Sequence, residues 1–236
     1  MLTLEGLRAR WGDWTLSADL TIEAASRIAL IGPSGAGKST LLGLIAGHET
    51  PQAGRVLWDG DDLTSKPPAA RPISMIFQDN NLFPHMSAAD NAGLGLRPDL
   101  RLNTDQRRQV GDALSRVGLA GFGDRKPGQL SGGQVARVAL ARVLLSRKPV
   151  LLLDEPFGAL GPALRAEMLE LVAKLADETA ATLLFVTHEP DDARRIADHV
   201  VLVADGVAHP PVATAEIFAN PPPAFTAYLG AAWTRR

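Results

Sequence analysis

The string GPSGAGKST at Gly32–Thr40 constrains this chain more than any other feature. It satisfies the pattern G-x-x-x-x-G-K-[ST], and its flanks are those the pattern requires. RIALI at Arg27–Ile31 is a continuous apolar run, as expected of a strand buried on both faces. After the loop, Leu41, Leu42, Leu44 and Ile45 predict a helix that stops near Gly47. Gly32, Gly35 and Gly37 would let the backbone come close to phosphates, with Pro33, Ser34, Ala36 and Thr40 completing the wrap. The helix adds the positive end of its dipole. Lys38 would supply a point charge for the β- and γ-phosphates, and Ser39 a hydroxyl for Mg²⁺. The loop by itself predicts a nucleoside triphosphate as the ligand, with Mg²⁺ as its companion.

A second apolar run, Val150–Leu153, ends in Asp154 and Glu155. Open α/β sheets place their ligands at the carboxyl ends of strands. Two adjacent acids there can divide the work. Asp154 would hold Mg²⁺ through its water shell, and Glu155 would take a proton from the attacking water. Gln78 ends the run ISMIF and His188 follows TLLFVT. An amide there can ligate Mg²⁺ or orient water, and an imidazole can reach a γ-phosphate. Taken alone, each is more often an ordinary polar residue at a strand end. The string LSGGQ at Leu130–Gln134 adds a second helix start with bare N–H groups, at Ser131, Gly132, Gly133 and Gln134. That is one phosphate site more than a single ATP needs, unless the string is only a Gly linker with a Ser cap.

The remaining pattern is α/β. Leu16, Ala18, Leu20 and Ile22 alternate with polar residues, the period of a strand with one buried face. VLW runs into the turn dipeptide Asp59–Gly60. From about 82 to 148 the pattern turns helical. Asn103 and Gln106 form a capping box ahead of Val110, Ala113, Leu114 and Val117, and Gly118 ends that helix. A second helix runs from Ser131 to about Arg147. Strands and helices then alternate: a helix from Pro162, a strand over Thr182–Thr187, a helix near Asp191–Ala197 and a strand over Val200–Val203. Such alternation predicts a mainly parallel sheet with flanking helices.

Composition excludes several classes. The 236 residues suffice for a large core in one domain, expected to span 1–236. A net charge of −2 gives no polyanion-binding surface, so no nucleic-acid partner is expected. There is no cysteine, hence no disulfide framework. No apolar run approaches the roughly 20 residues a membrane helix needs, and no signal pattern opens the chain. A cytoplasmic protein is expected, attached to a membrane only through a partner. No Asn-Lys-x-Asp string is present, which argues against a guanine-reading switch.

The phosphate loop, LSGGQ and VLLLDE, in that order, resemble the ATP-binding cassette (ABC) subunits of membrane transporters over nearly the whole chain. The resemblance implies a RecA-like P-loop NTPase core with an N-terminal antiparallel β lobe and an inserted helical signature lobe at about 82–148. It implies an ATPase that pairs head to tail with a second copy, each ATP lying between one phosphate loop and the other signature. Lys38, Ser39, Gln78, Ser131–Gln134, Asp154, catalytic Glu155 and switch His188 carry over residue by residue. The family also stacks an aromatic ring on adenine. Trp11 fits that position best, with Trp14 as the rival.

A narrower likeness lies in RPISMIFQDNNLFPHMSAADNAGLGLRPDLRLN at Arg71–Asn103, together with MLTLEGLRARW and LLLDEPFGAL. These resemble the ATP-binding subunits of bacterial thiamine importers, at the cytoplasmic side of the inner membrane. Such systems add transmembrane permease subunits and a periplasmic thiamine-binding protein, and Asp79–Phe83 is where the permease's coupling helix is received. Three positions depart from the family pattern. Gly161 stands where Asp is usual, Gln129 where Glu is common, and Val135–Ala136 where a polar pair is usual, although Arg137 is kept.

Overall fold

The computed structural model describes residues 1–230; residues 231–236, the end of the expected single domain, lie outside the described residues. An antiparallel lobe opens the chain. It is built from β1 (Leu2–Trp11), β2 (Trp14–Ile22), β4 (Ala53–Trp58) and β5 (Asp61–Asp62), with β3 (Arg27–Ile31) and α1 (Lys38–Ala46) entering the core between them. The core continues with β6 (Ile73–Ile76), β7 (Val150–Asp154), β8 (Thr182–Val186) and β9 (His199–Ala204). Strands β9, β3, β8, β7 and β6 are neighbours in that order and run parallel. Strand β10 (Val207–Ala208) joins β9 to β2 and so fuses lobe and core into one sheet, and β11 (Val212–Ala213) pairs with β9.

The near-continuous apolar runs of the parallel strands follow from burial on both faces. Leu152, Leu184, Val201 and Leu30 belong to the core shared with α1 and the antiparallel lobe. Leu151, Leu153, Leu183 and Phe185 face the other way, into the core shared with the helices. That second layer holds α5 (Pro162–Thr179) and α6 (Pro190–Ile196), followed by α7 (Thr214–Ala219) and α8 (Pro223–Leu229).

The helical lobe comprises α2 (Ala88–Gly93), α3 (Thr104–Arg116) and α4 (Gly132–Ser146). The expected box is present: Asn103 accepts from the Gln106 N–H at 2.8 Å, and Gln106 accepts from the Asn103 N–H at 3.0 Å. Helix α4 carries a box of its own, between Ser131 and Gln134. Arg147 closes α4 in a left-handed conformation, within a residue of the expected end. Several elements go beyond the sequence expectation: β1, β5, α2, β10, β11, α7 and α8.

Candidate functional site

Strand order decides which loops meet. With β3, β8, β7 and β6 adjacent and parallel, their carboxyl ends line up along one edge. The phosphate loop follows β3, His188 follows β8, Asp154 and Glu155 end β7, and Gln78 follows β6. An open cavity of about 530 Å³ lies there, lined by Trp11, Trp14, Ser34, Gly35, Gly37, Lys38, Ser39, Thr40, Glu49, Glu155 and His188.

Lys38 is the first residue of α1 and is 5% exposed. Its ammonium donates to the Gly32 carbonyl at 2.8 Å and to the Pro33 carbonyl at 2.9 Å, which folds the loop over the charge. Burial lowers its pKa, opposed by the nearby carboxylates of Glu155 and Asp154. The Ser39 hydroxyl donates to Asp154 Oδ1 at 2.9 Å, joining the loop to the end of β7. Burial raises the Asp154 pKa, the Ser39 hydrogen bond opposes it, and Glu155 adds to the rise. The site thus holds buried acidic charge that a cation would relieve.

Glu155 sits one residue past β7 with φ +49°, a left-handed conformation rare for a residue with a side chain. Its Oε1 lies 2.6 Å from His188 Nε2. Two residues singled out separately in the sequence are therefore in contact across the ends of two neighbouring strands. Beside them, a smaller cavity of about 180 Å³ reaches from Glu155 and His188 toward Phe157, Arg165 and Asp192.

Gly37, an expected binding residue, and Trp14, the rival to Trp11 for adenine, have a packing role that the sequence does not disclose. Gly37 has φ +101°, and a Cβ there would lie 2.7 Å from the Trp14 ring. Trp14 therefore packs beneath the phosphate loop. Trp11 is 40% exposed and tilts against Trp14, ring centroids 5.4 Å apart, so it offers the free face at the cavity's rim. Gly37→Ala is expected to lower ATP affinity at least tenfold through strain and collision with Trp14, with little change in helix content. Titration calorimetry and circular dichroism on the same preparation check this.

Gln78 and Ser131–Gln134 are not among the residues lining the larger cavity. Gln78 opens a turn in which Asn80 and Asn81 are both left-handed, at φ +57° and +43°. The half-buried Arg142 of α4 holds that turn, donating to the carbonyls of Asn80 and Asn81 at 3.1 and 2.9 Å. In the signature, Ser131 caps α4, and a Cβ on Gly133 would lie 2.6 Å from the Leu164 side chain of α5. Glu49 lines the cavity without any local signal in the sequence.

A buried lysine inside a glycine loop at a helix start, opposite an acidic strand end, defines a phosphate-loop nucleoside triphosphatase. Comparison with known proteins narrows the class. The ABC transporter family matches residues 16–158. The thiamine import ATP-binding protein ThiQ of Cereibacter sphaeroides is 59% identical over 230 residues, covering 98% of this chain and 100% of that protein. ThiQ of Ruegeria sp. strain TM1040 is 56% identical, covering 98% of this chain and 100% of that protein. Among solved structures, the dimeric ATP-binding cassette MJ0796, in a post-hydrolysis state bound to ADP and Pi, superposes with a TM-score of 0.78 at 29% identity, covering 91% of this chain and 99% of that one. The chain belongs to the ABC transporter family. It is a nucleotide-binding, ATP-hydrolysing cassette of that family, with the α/β architecture expected of one.

Proposed function

We propose that this chain is the ATPase subunit that energises import of thiamine and its phosphates through a membrane permease. One observation carries the choice of cargo: the identity of 59% to a thiamine import protein extends over that protein's whole length. The ATPase itself does not touch the solute, so the geometry of the cassette supports the reaction and the relatives support the cargo.

In this reading the phosphate loop, Gly32–Thr40, wraps the ATP phosphates, Lys38 neutralises them, and Trp11 stacks on adenine. Ser39 and Asp154 fit Mg²⁺, because they present two hard oxygen donors 2.9 Å apart on a site already burdened with acidic charge. Among the described residues no group of three or more His, Cys, Asp or Glu could hold a metal by itself. The remaining ligands would be phosphate oxygens, water and the amide of Gln78. When bound, Mg²⁺ would neutralise charge that develops on the phosphates. Glu155 accepts the proton of the attacking water, and His188 at 2.6 Å orients it and reaches the γ-phosphate.

Ser131–Gln134 lie outside the larger cavity, which fits their serving an ATP bound by a second copy, packed head to tail. The permease would dock on the turn Asp79–Phe83, where Phe83 is 44% exposed. Among the described residues no helix is long and apolar enough to cross a membrane. The subunit would then sit peripherally on the cytoplasmic face of the inner membrane and meet the periplasmic thiamine-binding protein only indirectly.

Proteoliposomes holding this subunit with a thiamine-transporter permease and its thiamine-binding protein test the proposal. ATP-driven uptake of labelled thiamine that excess unlabelled thiamine competes away is the expected result. Uptake of a different solute, or export of thiamine, would contradict the assignment of cargo or direction.

A further inference from the structure

Tyr228 is the chain's single tyrosine, and it lies on α8. Its hydroxyl donates to the backbone carbonyl of His188 at 2.9 Å. The ring is held from behind. It stacks on Phe225 with centroids 6.4 Å apart, and Phe225 is fully buried with an edge contact to Phe218 of α7 at 5.2 Å. The hydroxyl is thus fixed to the core by a ladder of aromatic contacts rather than swinging freely.

The neighbours of His188 are tied as well. The Thr187 hydroxyl donates to buried Asp192 at 2.6 Å and accepts from the Glu189 N–H at 3.0 Å. Arg165 Nε, from α5, lies 3.4 Å from Asp192 Oδ1. Among the described residues, the His188 side chain is held by its contact with Glu155, and the small cavity lies beside that pair. The bond from Tyr228 acts on the backbone of His188 from an element that contributes nothing else to the site.

We propose that Tyr228 is a positioning residue for ATP hydrolysis: α8, through the Tyr228 hydroxyl, sets the His188 carbonyl and thereby where its imidazole meets Glu155 and the γ-phosphate. This rests on the role proposed for His188. Burial, with Glu189 and Glu155 nearby, raises the Tyr228 pKa and keeps the hydroxyl protonated as a donor. The consequence is that the last described helix tunes the catalytic step, so a contact that displaces α8 would slow turnover without touching the nucleotide.

Tyr228→Phe removes the donor and keeps the ring, so it isolates the bond from the packing. The purified subunit should lose about fivefold in kcat, a size typical of one misaligned hydrogen bond, with its Kd for ATP held and its Tm lowered by no more than about 2–4 °C, as expected from one lost hydrogen bond. A merely structural role would not split kcat from Kd in this way. A loss under twofold, or a loss matched by weaker ATP binding or by a fall in Tm beyond that of one hydrogen bond, overturns the proposal. His188→Ala is measured in parallel. If it turns over ATP at the parent rate, the role of His188 falls and this inference falls with it. If His188→Ala is inactive while Tyr228→Phe is normal, the positioning role alone is wrong.

Discussion

Glu155→Gln is expected to bind ATP normally and to hydrolyse it at least 100-fold more slowly. General-base catalysis contributes about 10²- to 10⁴-fold, and an amide cannot accept the proton. The replacement keeps size and shape, and Gln can still hydrogen-bond the imidazole of His188 that lies 2.6 Å away. The loss should therefore fall on kcat, with ATP affinity intact, the mark of an interaction made only in the transition state. A phosphate-release assay beside an ATP titration separates the two. Turnover at the parent rate would remove Glu155 from the mechanism.

Lys38→Ala should fail one step earlier, at binding. The ammonium is the buried cation of the loop, and its bonds to the Gly32 and Pro33 carbonyls also hold the loop's shape. Charge-assisted hydrogen bonds contribute about 1.5–3 kcal/mol each, so losing those to two phosphates should weaken ATP binding roughly 100-fold or more. Alanine also leaves two carbonyls without their donor, so some stability is lost with the ligand. The clean readout is the rise in Tm that saturating ATP gives the parent subunit, which should vanish in the variant. An undiminished rise would mean that ATP is held elsewhere.

The parts of the site that depend on local chemistry were legible in the sequence. A glycine loop between strand and helix, acids at a strand end and a Ser or Asn ahead of a helix are short-range signals, and Gly32–Thr40, Asp154, Glu155, Asn103 and Ser131 each sit where such signals place them. Adjacency of Glu155 and His188 needs the strand order, which no local pattern contains. Strand β1 was hidden by its own irregularity. Its buried residues are Leu2, Leu4, Leu7 and Ala9, and the register shift between Leu4 and Leu7 breaks the period of two. Trp14 read as the rival to Trp11 for adenine, because nothing in sequence reveals that its ring fills the space where a Gly37 side chain would lie. Tyr228 meets His188 across 40 residues of chain and had no signal at all. The small side of Gly133 likewise answers to Leu164, a contact between helices rather than a demand of phosphate binding alone. Gly161, the departure from the family's usual Asp, caps α5 with open space around it, so the fold has no need of a side chain there.

The central claim is that one copy's phosphate loop and a second copy's signature share each ATP. Mass measurement by light scattering tests it most directly, using Glu155→Gln protein to hold ATP unhydrolysed. With ATP and Mg²⁺ the particle should reach about twice the 25.0 kDa subunit mass, and without nucleotide it should return to one subunit. Adding Ser131→Arg should keep it at one subunit while ATP binding persists, because the bulky cation blocks the opposing phosphates and lies outside the subunit's own cavity. Loss of the Ser131 cap costs only about 1 kcal/mol, too little to unfold the chain. A Ser131→Arg particle that still doubles its mass with ATP, or that no longer binds ATP as a single subunit, would contradict the shared site.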